Sequence, residues 1–388
     1  MYRDSYVNID VDALKNNIKE IIKTYSGYKY YFGVVKANCY GHGEYLVNKM
    51  IESGINYLCT SSLEEALSIR KFNKDIPILC FGYISPDNFK IVEENNITIT
   101  IISYEYFKEV KDTKYKVKAH LKINSGMNRL GVKDKNEVKE IYDTLKDSNI
   151  YLEGVYTHFA TSGVEDVYFD KQVNNFNTIT SEIDLTKIDI VHLYNSMSLV
   201  KHNKFRDANG VRLGLIMYGF SYNAGISLKK LKLFNIKKKI KLLGKTISDT
   251  NLNNNLKLKK VMSIHSRVIN INTLKKGEVV GYGAKFKARK DTFIATIEVG
   301  HADGITEYFN KVKINNKVYN VVAVCMDYIM AEVDSSVKLY DSVNIIDNTL
   351  TIASVAANAN DSIHHILVSI TNRLPRKYIE NNKEKIIM

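Results

Sequence analysis

Residues 30–43 read YYFGVVKANCYGHG, and this stretch is the starting point for the fold. Its first six residues form an apolar, strand-like run, and Lys36 follows directly at the end of that run. In an α/β barrel, the carboxyl ends of the parallel strands face the catalytic centre. An amine at that rim can form a Schiff base with a carbonyl compound. A single lysine at such a place is more often a solvated rim residue. Whether Lys36 is catalytic therefore depends on the other motifs of the chain.

Short apolar runs alternate with amphipathic segments over the first two-thirds of the chain. The strand candidates are residues 30–35, 57–61, 76–81, 97–102, 117–123, 152–157, 188–194 and 211–217. A first helix is predicted behind the capping candidate Asp10, and another opens at Ser61 and Ser62. Strands separated by helices predict right-handed crossovers and a parallel sheet. Eight such strands predict a closed (β/α)8 barrel of the TIM type.

The sequence changes character after about Leu256. The later apolar runs are β-branched and show little helical pattern; they cover residues 261–271, 292–299, 318–324, 329–333 and 343–346. The predicted fold class is therefore α/β, an N-terminal (β/α)8 barrel followed by a mostly β C-terminal domain. We expect the barrel to occupy residues 1–240 and the second domain 241–388, with a basic, Asn-rich insertion at about 225–256.

Composition narrows the functional classes. The 388 residues are 45% hydrophobic and 25% charged, as in an ordinary globular protein. No stretch approaches the ~20 apolar residues of a membrane helix. The four cysteines are scattered without a Cys-x-x-Cys pair, so neither a metal site nor a disulfide framework is expected. The first residues lack the order of a secretion signal, and we expect a cytoplasmic protein without a membrane partner.

The formal net charge of +13 raises the question of a nucleic-acid partner. Part of the excess lies in residues 229–245, which include Lys237, Lys238 and Lys239. Such a run can follow a phosphate backbone or lie on a membrane surface. It has no regularly interleaved aromatic residues, and a solvated insertion is the commoner outcome. We therefore expect no nucleic-acid binding.

Four further clusters follow predicted barrel strands. They are residues 122–131, Thr157 with His158, Asn195 with Ser196, and residues 210–215. Barrel enzymes often bind phosphate with the loops after their last two strands, which is where Ser196 and Gly214 lie. A phosphate site late in the barrel and a Schiff-base lysine early in it together indicate a pyridoxal phosphate pocket. Taken singly, each residue could be a surface ion pair, a core histidine or a plain turn.

With these motifs, the chain resembles the alanine racemase family. Its members are fold-type III pyridoxal phosphate enzymes that consist of a barrel and a β domain. The resemblance spans nearly the whole length. The matching motifs are residues 8–17, 35–43, 122–131, 195–196, 212–214, 281–284, 302–304, 325–327 and 373–376. It implies a homodimer with shared active sites, a small-molecule amino-acid substrate and an activity that interconverts L- and D-alanine for cell-wall peptidoglycan.

The resemblance also implies a role for each residue. Lys36 binds the cofactor and is one catalytic base, and the partner subunit's Tyr282 is the other. Arg129 holds the substrate carboxylate, with the partner's Met326 nearby. The implied cofactor contacts are Tyr40, His158, Asn195, Ser196, Arg212, Gly214, Leu215 and His364. The implied supporting residues are Lys122, which family members often carry as a carbamate, His192 and Asp327.

Arg212, implied to face the pyridine nitrogen, bears on the choice of reaction. A guanidinium keeps its proton, so the nitrogen opposite it stays unprotonated. The ring is then a weaker electron sink, which favours return of the proton to the substrate Cα over transamination.

The mouth of the pocket departs from the family. Residue 301 is His where the family has Tyr, Glu307 stands for an Arg, and Val322-Ala323 replaces a Gly-Arg pair. His364 and His365 replace a Tyr-Glu pair. Two explanations of these changes stay open: neutral drift, or a shifted substrate such as serine or a longer or basic amino acid.

Three other functions are compatible with parts of the sequence. A fold-type III decarboxylase would share the barrel and the lysine, but is not expected to carry Tyr282 or Arg212. A non-catalytic pyridoxal phosphate carrier would resemble the barrel alone. A basic nucleic-acid-binding protein is supported only by the run at residues 229–245.

Overall fold

The computed structural model describes residues 2–163, 167–220 and 256–387. The predicted basic insertion lies outside these residues except for Leu256. The chain begins with strand β1 (Tyr6–Asp10) and helix α1 (Val11–Thr24). As predicted, Asp10 caps this helix, accepting a 2.8 Å hydrogen bond from the backbone N–H of Ala13.

Eight parallel strands then form a closed barrel, and all eight coincide with predicted strands. They are β2 (Tyr30–Val34), β3 (Tyr57–Thr60), β4 (Ile78–Cys80), β5 (Ile97–Ile101), β6 (Val117–Lys122), β7 (Ile150–Tyr156), β8 (Ile190–His192) and β9 (Gly210–Leu213). Strand β9 pairs with β2, with Tyr30 opposite Gly210, and this pairing closes the ring. The strands are buried on both faces, which is why they read as continuous apolar runs.

The connections carry the helices of the barrel. They are α2 (Lys36–Tyr40), α3 (Leu46–Glu52), α4 (Leu63–Arg70), α5 (Phe89–Glu94), α6 (Tyr104–Val110), α7 (Lys135–Leu145), α8 (Val167–Ile179) and α9 (Ser196–Lys201). Of the predicted pair, Ser62 is the residue that caps α4, accepting a hydrogen bond from the backbone N–H of Glu65. Side chains at helical spacing cover the outer wall of the barrel.

The second domain is mostly β, as predicted. Its strands are β10 (Met262–Leu274), β11 (Val279–Val280), β12 (Phe286–Lys287), β13 (Thr292–Ile297), β14 (Lys311–Ile314), β15 (Lys317–Val324), β16 (Ile329–Val333), β17 (Ser342–Ile346), β18 (Arg376–Glu380) and β19 (Lys383–Ile387). Strand β13 pairs with both β16 and β10, so the strands β13-β16-β15-β14-β17-β10 form a closed ring. The fold class expected from the sequence is thus confirmed.

Several elements were not predicted. Two helices, α10 (Ile352–Ala359) and α11 (Ile363–Ser369), interrupt the second domain. Strands β1, β11, β12, β14, β18 and β19 were also missed. Strand β1 pairs antiparallel with β10 and parallel with β18, so the start of the chain belongs to the sheet of the second domain.

Asn17 joins the two parts of the chain. Its side chain is buried and donates hydrogen bonds of 2.9 and 2.8 Å to the carbonyls of Met217 and Lys259. It also accepts one from the backbone N–H of Lys259. One amide therefore ties the end of the barrel to the start of the second domain.

Candidate active site

A cavity of about 500 Å³ opens at the carboxyl ends of the barrel strands. Eleven of the residues singled out in the sequence line it: Lys36, Tyr40, Lys122, Arg129, His158, Asn195, Ser196, Arg212, Gly214, Leu215 and His364. Among the lining residues that sequence reasoning missed are Phe81, Met127, Leu130, Tyr156, Ser162 and Met197. Four of the singled-out residues lie elsewhere: His192 is buried behind Arg212, and Tyr282, Met326 and Asp327 are on the second domain.

Lys36 begins a left-handed helical turn. Residues 37–40 all have φ between 51° and 54°, and Gly41 continues the left-handed backbone with φ 77°. For non-glycine residues this conformation costs roughly 1–2 kcal/mol each. Hydrogen bonds hold the turn, among them Gly41 N–H to Ala37 O at 2.9 Å and Ala37 N–H to the carboxylate of Glu65 at 2.7 Å. Strained backbone of this kind is typical of functional sites.

The second domain buttresses the same turn. A Cβ atom on Gly41 would lie 2.5 Å from the carbonyl oxygen of Leu367 in α11, so only glycine fits there. The guanidinium of Arg376 donates to Gly41 O at 3.0 Å, and the phenol of Tyr378 donates to His42 O at 2.9 Å. Strand β18, which carries both side chains, thereby fixes the backbone that follows Lys36.

The amine of Lys36 is half-buried. Burial lowers its pKa, and the positive charge of Arg129 lowers the pKa further. A larger fraction of the amine is therefore neutral at physiological pH than for an exposed lysine. A neutral amine is the form that can act as a nucleophile or accept a proton.

A cradle of hydrogen-bond donors lies at the late-strand side of the cavity. The backbone N–H of Gly214 donates to the hydroxyl of Ser196 at 2.8 Å. A Cβ atom on Gly214 would lie 3.2 Å from the phenol oxygen of Tyr40 and 3.6 Å from that hydroxyl. Burial raises the pKa of Tyr40, so its phenol stays a donor. The Gly214 N–H thus orients the hydroxyl of Ser196. The hydroxyls of Ser196 and Tyr40 converge around a space kept open by glycine, which suits a phosphate.

Neighbouring residues complete this end of the cavity. Asn195 caps α9, its side-chain oxygen accepting 3.0 Å hydrogen bonds from the backbone of Met197 and Ser198. The ring of His364 lies 5.5 Å from the ring of Tyr40. Burial, together with the charge of Lys36, lowers the pKa of His364, so its imidazole is neutral and has one N–H to donate.

Arg212, two residues before Gly214, is clamped by backbone carbonyls. Its guanidinium donates to the carbonyls of Thr157, His192 and Leu193 at 2.8, 2.8 and 2.9 Å. Burial lowers its pKa to about 10, which still leaves it charged at neutral pH. The Nδ1 atom of His158 lies 3.5 Å from the guanidinium, and the charge of Arg212 adds to the burial that lowers the pKa of His158. A fixed cation therefore faces the cavity.

A buried chain of imidazoles runs inward from Arg212. The guanidinium donates to Nδ1 of His192 at 2.9 Å, so the proton of that ring is on Nε2. Nε2 of His192 lies 2.9 Å from Nδ1 of His120, whose Nε2 lies 3.1 Å from the carboxylate of Glu153. Each donor then meets one acceptor. His120 and Glu153 were missed, although His120 lies two residues before Lys122 and so faces the barrel interior with it.

Lys122 is almost completely buried beside this chain. Its amine lies 4.5 Å from the centre of the Tyr156 ring. Burial lowers its pKa to about 7, and Arg212 and Arg129 lower the pKa in the same direction. The loop that follows is shaped by Asn124, whose side chain accepts hydrogen bonds from the backbone of Gly126 and Asn128. Arg129 projects from the end of that loop into the cavity lining.

The remaining predicted residues lie on the surface of the second domain. The side chain of Tyr282 is 82% exposed and that of Met326 61%. A Cβ atom on Gly281 would lie 2.7 Å from the Cβ of Ala323, so the Tyr282 segment packs against the hairpin that carries Met326. Asp327 pairs with Arg373 at 2.6 Å. None of Tyr282, Met326 and Asp327 lines the cavity of its own chain.

Two of the residues that depart from the family pattern meet on this domain. The imidazole Nε2 of His301 lies 3.6 Å from the carboxylate of Glu307, which is exposed. The backbone N–H of His301 donates to the carbonyl of Cys325 at 3.0 Å, next to Met326. The substitutions are therefore adjacent to the hairpin that carries the candidate substrate residue.

Within residues 2–163, 167–220 and 256–387, no group of three or more His, Cys, Asp or Glu side chains could hold a metal ion. Over the same part of the chain, every helix is too short or too polar to cross a bilayer. All four cysteines are free thiols.

Comparisons with known proteins agree with the geometry. Residues 9–222 match the model of the alanine racemase N-terminal domain, and residues 261–378 match that of the alanine racemase C-terminal domain. "Alanine racemase 1" of Bacillus subtilis is 30% identical over 98% of this chain and 94% of its own length. The alanine racemase of Lactobacillus gasseri is 31% identical over 98% and 99%.

Solved structures show the same fold. A crystal structure of alanine racemase from Bacillus anthracis with bound L-Ala-P has a TM-score of 0.84 at 30% identity, covering 100% of this chain and 98% of that one. Histidine racemase from Leuconostoc mesenteroides has a TM-score of 0.81 at 24% identity, covering 98% and 99%. That likeness concerns the fold alone. From the family models and the curated relatives, the chain belongs to the alanine racemase family of isomerases.

Proposed function

We propose that this protein is a pyridoxal phosphate-dependent racemase that interconverts L- and D-alanine with two bases, Lys36 and Tyr282, and supplies D-alanine for cell-wall peptidoglycan in the cytoplasm. The observation that carries the proposal is the content of one cavity. A half-buried amine, a cradle with two hydroxyl donors and a clamped guanidinium all line it. An enzyme that binds a phosphorylated aldehyde through an amine needs these three groups together.

The residues present fit that cofactor. Tyr40, Ser196 and the backbone at Gly214 and Leu215 would hold its phosphate, since glycine at 214 leaves the space between the two hydroxyls open. Arg212 would face the ring nitrogen. Lys36 would bond to the aldehyde carbon. Bound there, pyridoxal phosphate would supply a conjugated ring that takes up the electrons of the substrate Cα–H bond.

The chain's own groups would bind the substrate and move the proton. Arg129 would pair with the substrate carboxylate, a contact that a planar guanidinium makes with two parallel hydrogen bonds. The amine of Lys36, with its lowered pKa, would take or return the Cα proton on one face. Racemisation needs a second group on the opposite face, and we assign that part to a phenol.

That phenol has to come from another chain. Tyr282 is exposed and lies outside its own chain's cavity, as does Met326. The exposed large apolar or aromatic side chains of this domain include Val279, Tyr282, Tyr308, Met326 and Tyr328. Exposed apolar side chains around a functional residue are typical of a protein interface. We infer that a second copy of this chain covers them and receives Tyr282 and Met326 in its cavity.

Formation of D-alanine from L-alanine by the purified protein tests the activity. Lys36→Ala should remove both the visible absorbance of bound cofactor and all racemisation. Tyr282→Phe should keep the absorbance and lose racemisation, with unequal rates of proton exchange for the two enantiomers. A Tyr282→Phe variant that racemises alanine at the parent rate would show the two-base assignment to be wrong.

The altered residues of the second domain favour an alternative substrate in place of alanine. His301 and Glu307 place a carboxylate beside the Met326 hairpin where the family carries Tyr and Arg. A negative group at the entrance suits a longer, basic amino acid, and the loss of bulky residues suits serine. Comparing kcat/KM for L-alanine, L-serine and L-lysine decides between them. A strong preference for alanine would end the idea of a shifted substrate.

A further inference from the structure

The hairpin loop that carries Met326 is held in place by a neighbouring turn at residues 300–304. The loop joins β15 to β16 and spans residues 325–328. The carbonyl of Cys325 accepts a 3.0 Å hydrogen bond from His301 N–H, and that of Met326 a 2.9 Å bond from Ala302 N–H. A Cβ atom on Gly300 would lie 2.5 Å from Met326 O, so the turn and the loop are in direct backbone contact. The position of the loop therefore depends on the position of this turn.

The turn is anchored by Asp303, a completely buried carboxylate. Arg3 donates to both oxygens of Asp303, at 2.8 and 3.2 Å, and the backbone N–H of Gly300 donates to it at 3.0 Å. A buried carboxylate is tolerated only when it is paired and hydrogen-bonded. These contacts fix Asp303 in place at the base of the turn.

Arg373 connects this anchor to the loop itself. Its Nε atom lies 3.7 Å from the carboxylate of Asp303, and its Nη1 atom lies 2.6 Å from that of Asp327. Asp327 is the residue directly after Met326. One guanidinium therefore bridges a rigid, buried carboxylate and a half-exposed carboxylate on the loop. A charge-assisted bond of this kind restrains an exposed loop more than a neutral one does.

We propose that Asp303 and Arg373 are positioning residues that set the Met326 loop through Asp327. The proposal deepens the proposed function, in which Met326 meets the substrate carboxylate in the partner subunit. The pair touches neither substrate nor cofactor. Its effect is to hold the hairpin in one place, so that the partner's cavity is completed by a preformed wall and substrate binding carries no ordering cost.

The test replaces the bridging cation. In Arg373→Met, amide hydrogen exchange should become faster at His301, Ala302 and Cys325, whose N–H groups bond within this contact. The KM for L-alanine should rise several-fold with kcat nearly unchanged, because the loop binds the carboxylate equally in the ground and transition states. Arg373→Lys, which keeps the charge, should show smaller changes in both hydrogen exchange and KM. Asp327→Asn should change both readouts in the same direction as Arg373→Met.

Arg267→Met is the matched control. Arg267 is as exposed as Arg373 and pairs with Asp4 at 3.1 Å on the same domain, but it is not in the contacts that hold the loop. It should behave like the parent. Parent-like exchange at residues 301–302 and 325 in Arg373→Met, or a parent-like KM, would overturn the proposal. If the parent protein forms no D-amino acid, the proposed function fails, and hydrogen exchange alone decides whether Arg373 positions the loop.

Discussion

At the scale of single residues, Lys122 has a predictable effect on stability. Its amine is almost fully buried and has no carboxylate among the groups that shift its pKa, which burial lowers to about 7. An unfolded lysine keeps a pKa of about 10.4. Between these two values the unfolded chain binds the proton more strongly, so stability rises with pH. Below about pH 7 the folded protein bears the full penalty of a buried cation.

We therefore expect Lys122→Met to be more stable than the parent by up to about 5 kcal/mol at pH 6. The difference should shrink as the pH rises toward 10. Urea unfolding at several pH values, in buffers free of carbon dioxide so that the amine stays unmodified, measures it. Lys118→Met, at a half-exposed lysine of the same strand, is the control for the loss of a lysine from this part of the barrel. A difference that is constant from pH 6 to 10 would contradict the assigned pKa.

At the scale of elements, the left-handed turn after Lys36 reverses the usual rule for glycine. An Ala-to-Gly change in an exposed helix costs about 1 kcal/mol. Ala37 is exposed but has φ 51°, a conformation that glycine adopts without strain. Ala37→Gly should leave the free energy of unfolding unchanged or raise it by up to about 1 kcal/mol. Ala357→Gly, in the exposed face of α10, should lower it by about 1 kcal/mol. Equal losses in the two variants would mean that the turn is unstrained.

The imidazole chain joins four barrel strands and can be tested at its inner end. Burial alone would raise the pKa of Glu153, but hydrogen bonds from His120 and Tyr57 lower it to about 2. Glu153→Ala leaves the Nε2–H of His120 without an acceptor and leaves the Tyr57 phenol to the hydroxyl of Thr98, so it should cost about 3 kcal/mol in the free energy of unfolding. Glu153→Gln keeps an acceptor oxygen and should cost about 1 kcal/mol.

The pH dependence separates the charge of Glu153 from its shape. A carboxylate with a lowered pKa contributes stability above its unfolded pKa of about 4.5 and loses it as the pH falls toward 2. The gap between the parent and Glu153→Gln should therefore be full at pH 6 and narrow on acidification. Urea midpoints at pH 6 and pH 3.5 measure this. A gap that widens on acidification would contradict the network as described.

The sequence was informative about some elements and silent about others. The barrel strands are buried on both faces, and their continuous apolar runs marked each of the eight. Strand β1 was missed because Tyr6–Asp10 alternates and runs straight into α1, so it read as the approach to a helix. Helix α10 consists of Ala, Ile, Val, Ser and Asn, and its apolar residues show no clear 3.6-residue period.

The same contrast holds within the site. Residues at strand ends, such as Lys36 and Arg212, were identified because barrel geometry assigns them a place. His120 and Glu153 lie in mid-strand, where a sequence gives no sign of which histidine meets which carboxylate. Asp303 and Arg373 lie 70 residues apart in the chain and were noticed only as parts of motifs. The contacts of Arg373 with Asp303 and with Asp327 depend on tertiary structure.

At the scale of the whole molecule, the second domain serves two sites. Through Arg376 and Tyr378 it supports the Lys36 turn of its own chain. Through Tyr282 and Met326 it presents an exposed surface that its own cavity does not use. If a partner subunit takes up that surface, each complete site combines Lys36 of one chain with the phenol of the other. Loss of the dimer should then abolish activity without unfolding either barrel.

Hybrid dimers test this arrangement directly. Lys36→Ala and Tyr282→Phe subunits, co-expressed with different affinity tags and purified through both, form a dimer in which one site lacks both groups and the other has both. That hybrid should have about half of the parent activity, although the homodimer of either variant alone is inactive. The matched control is a hybrid of the unaltered chain with a chain carrying both substitutions, which should be inactive because each of its sites lacks one group. If each chain instead contained its own complete site, the two results would be exchanged.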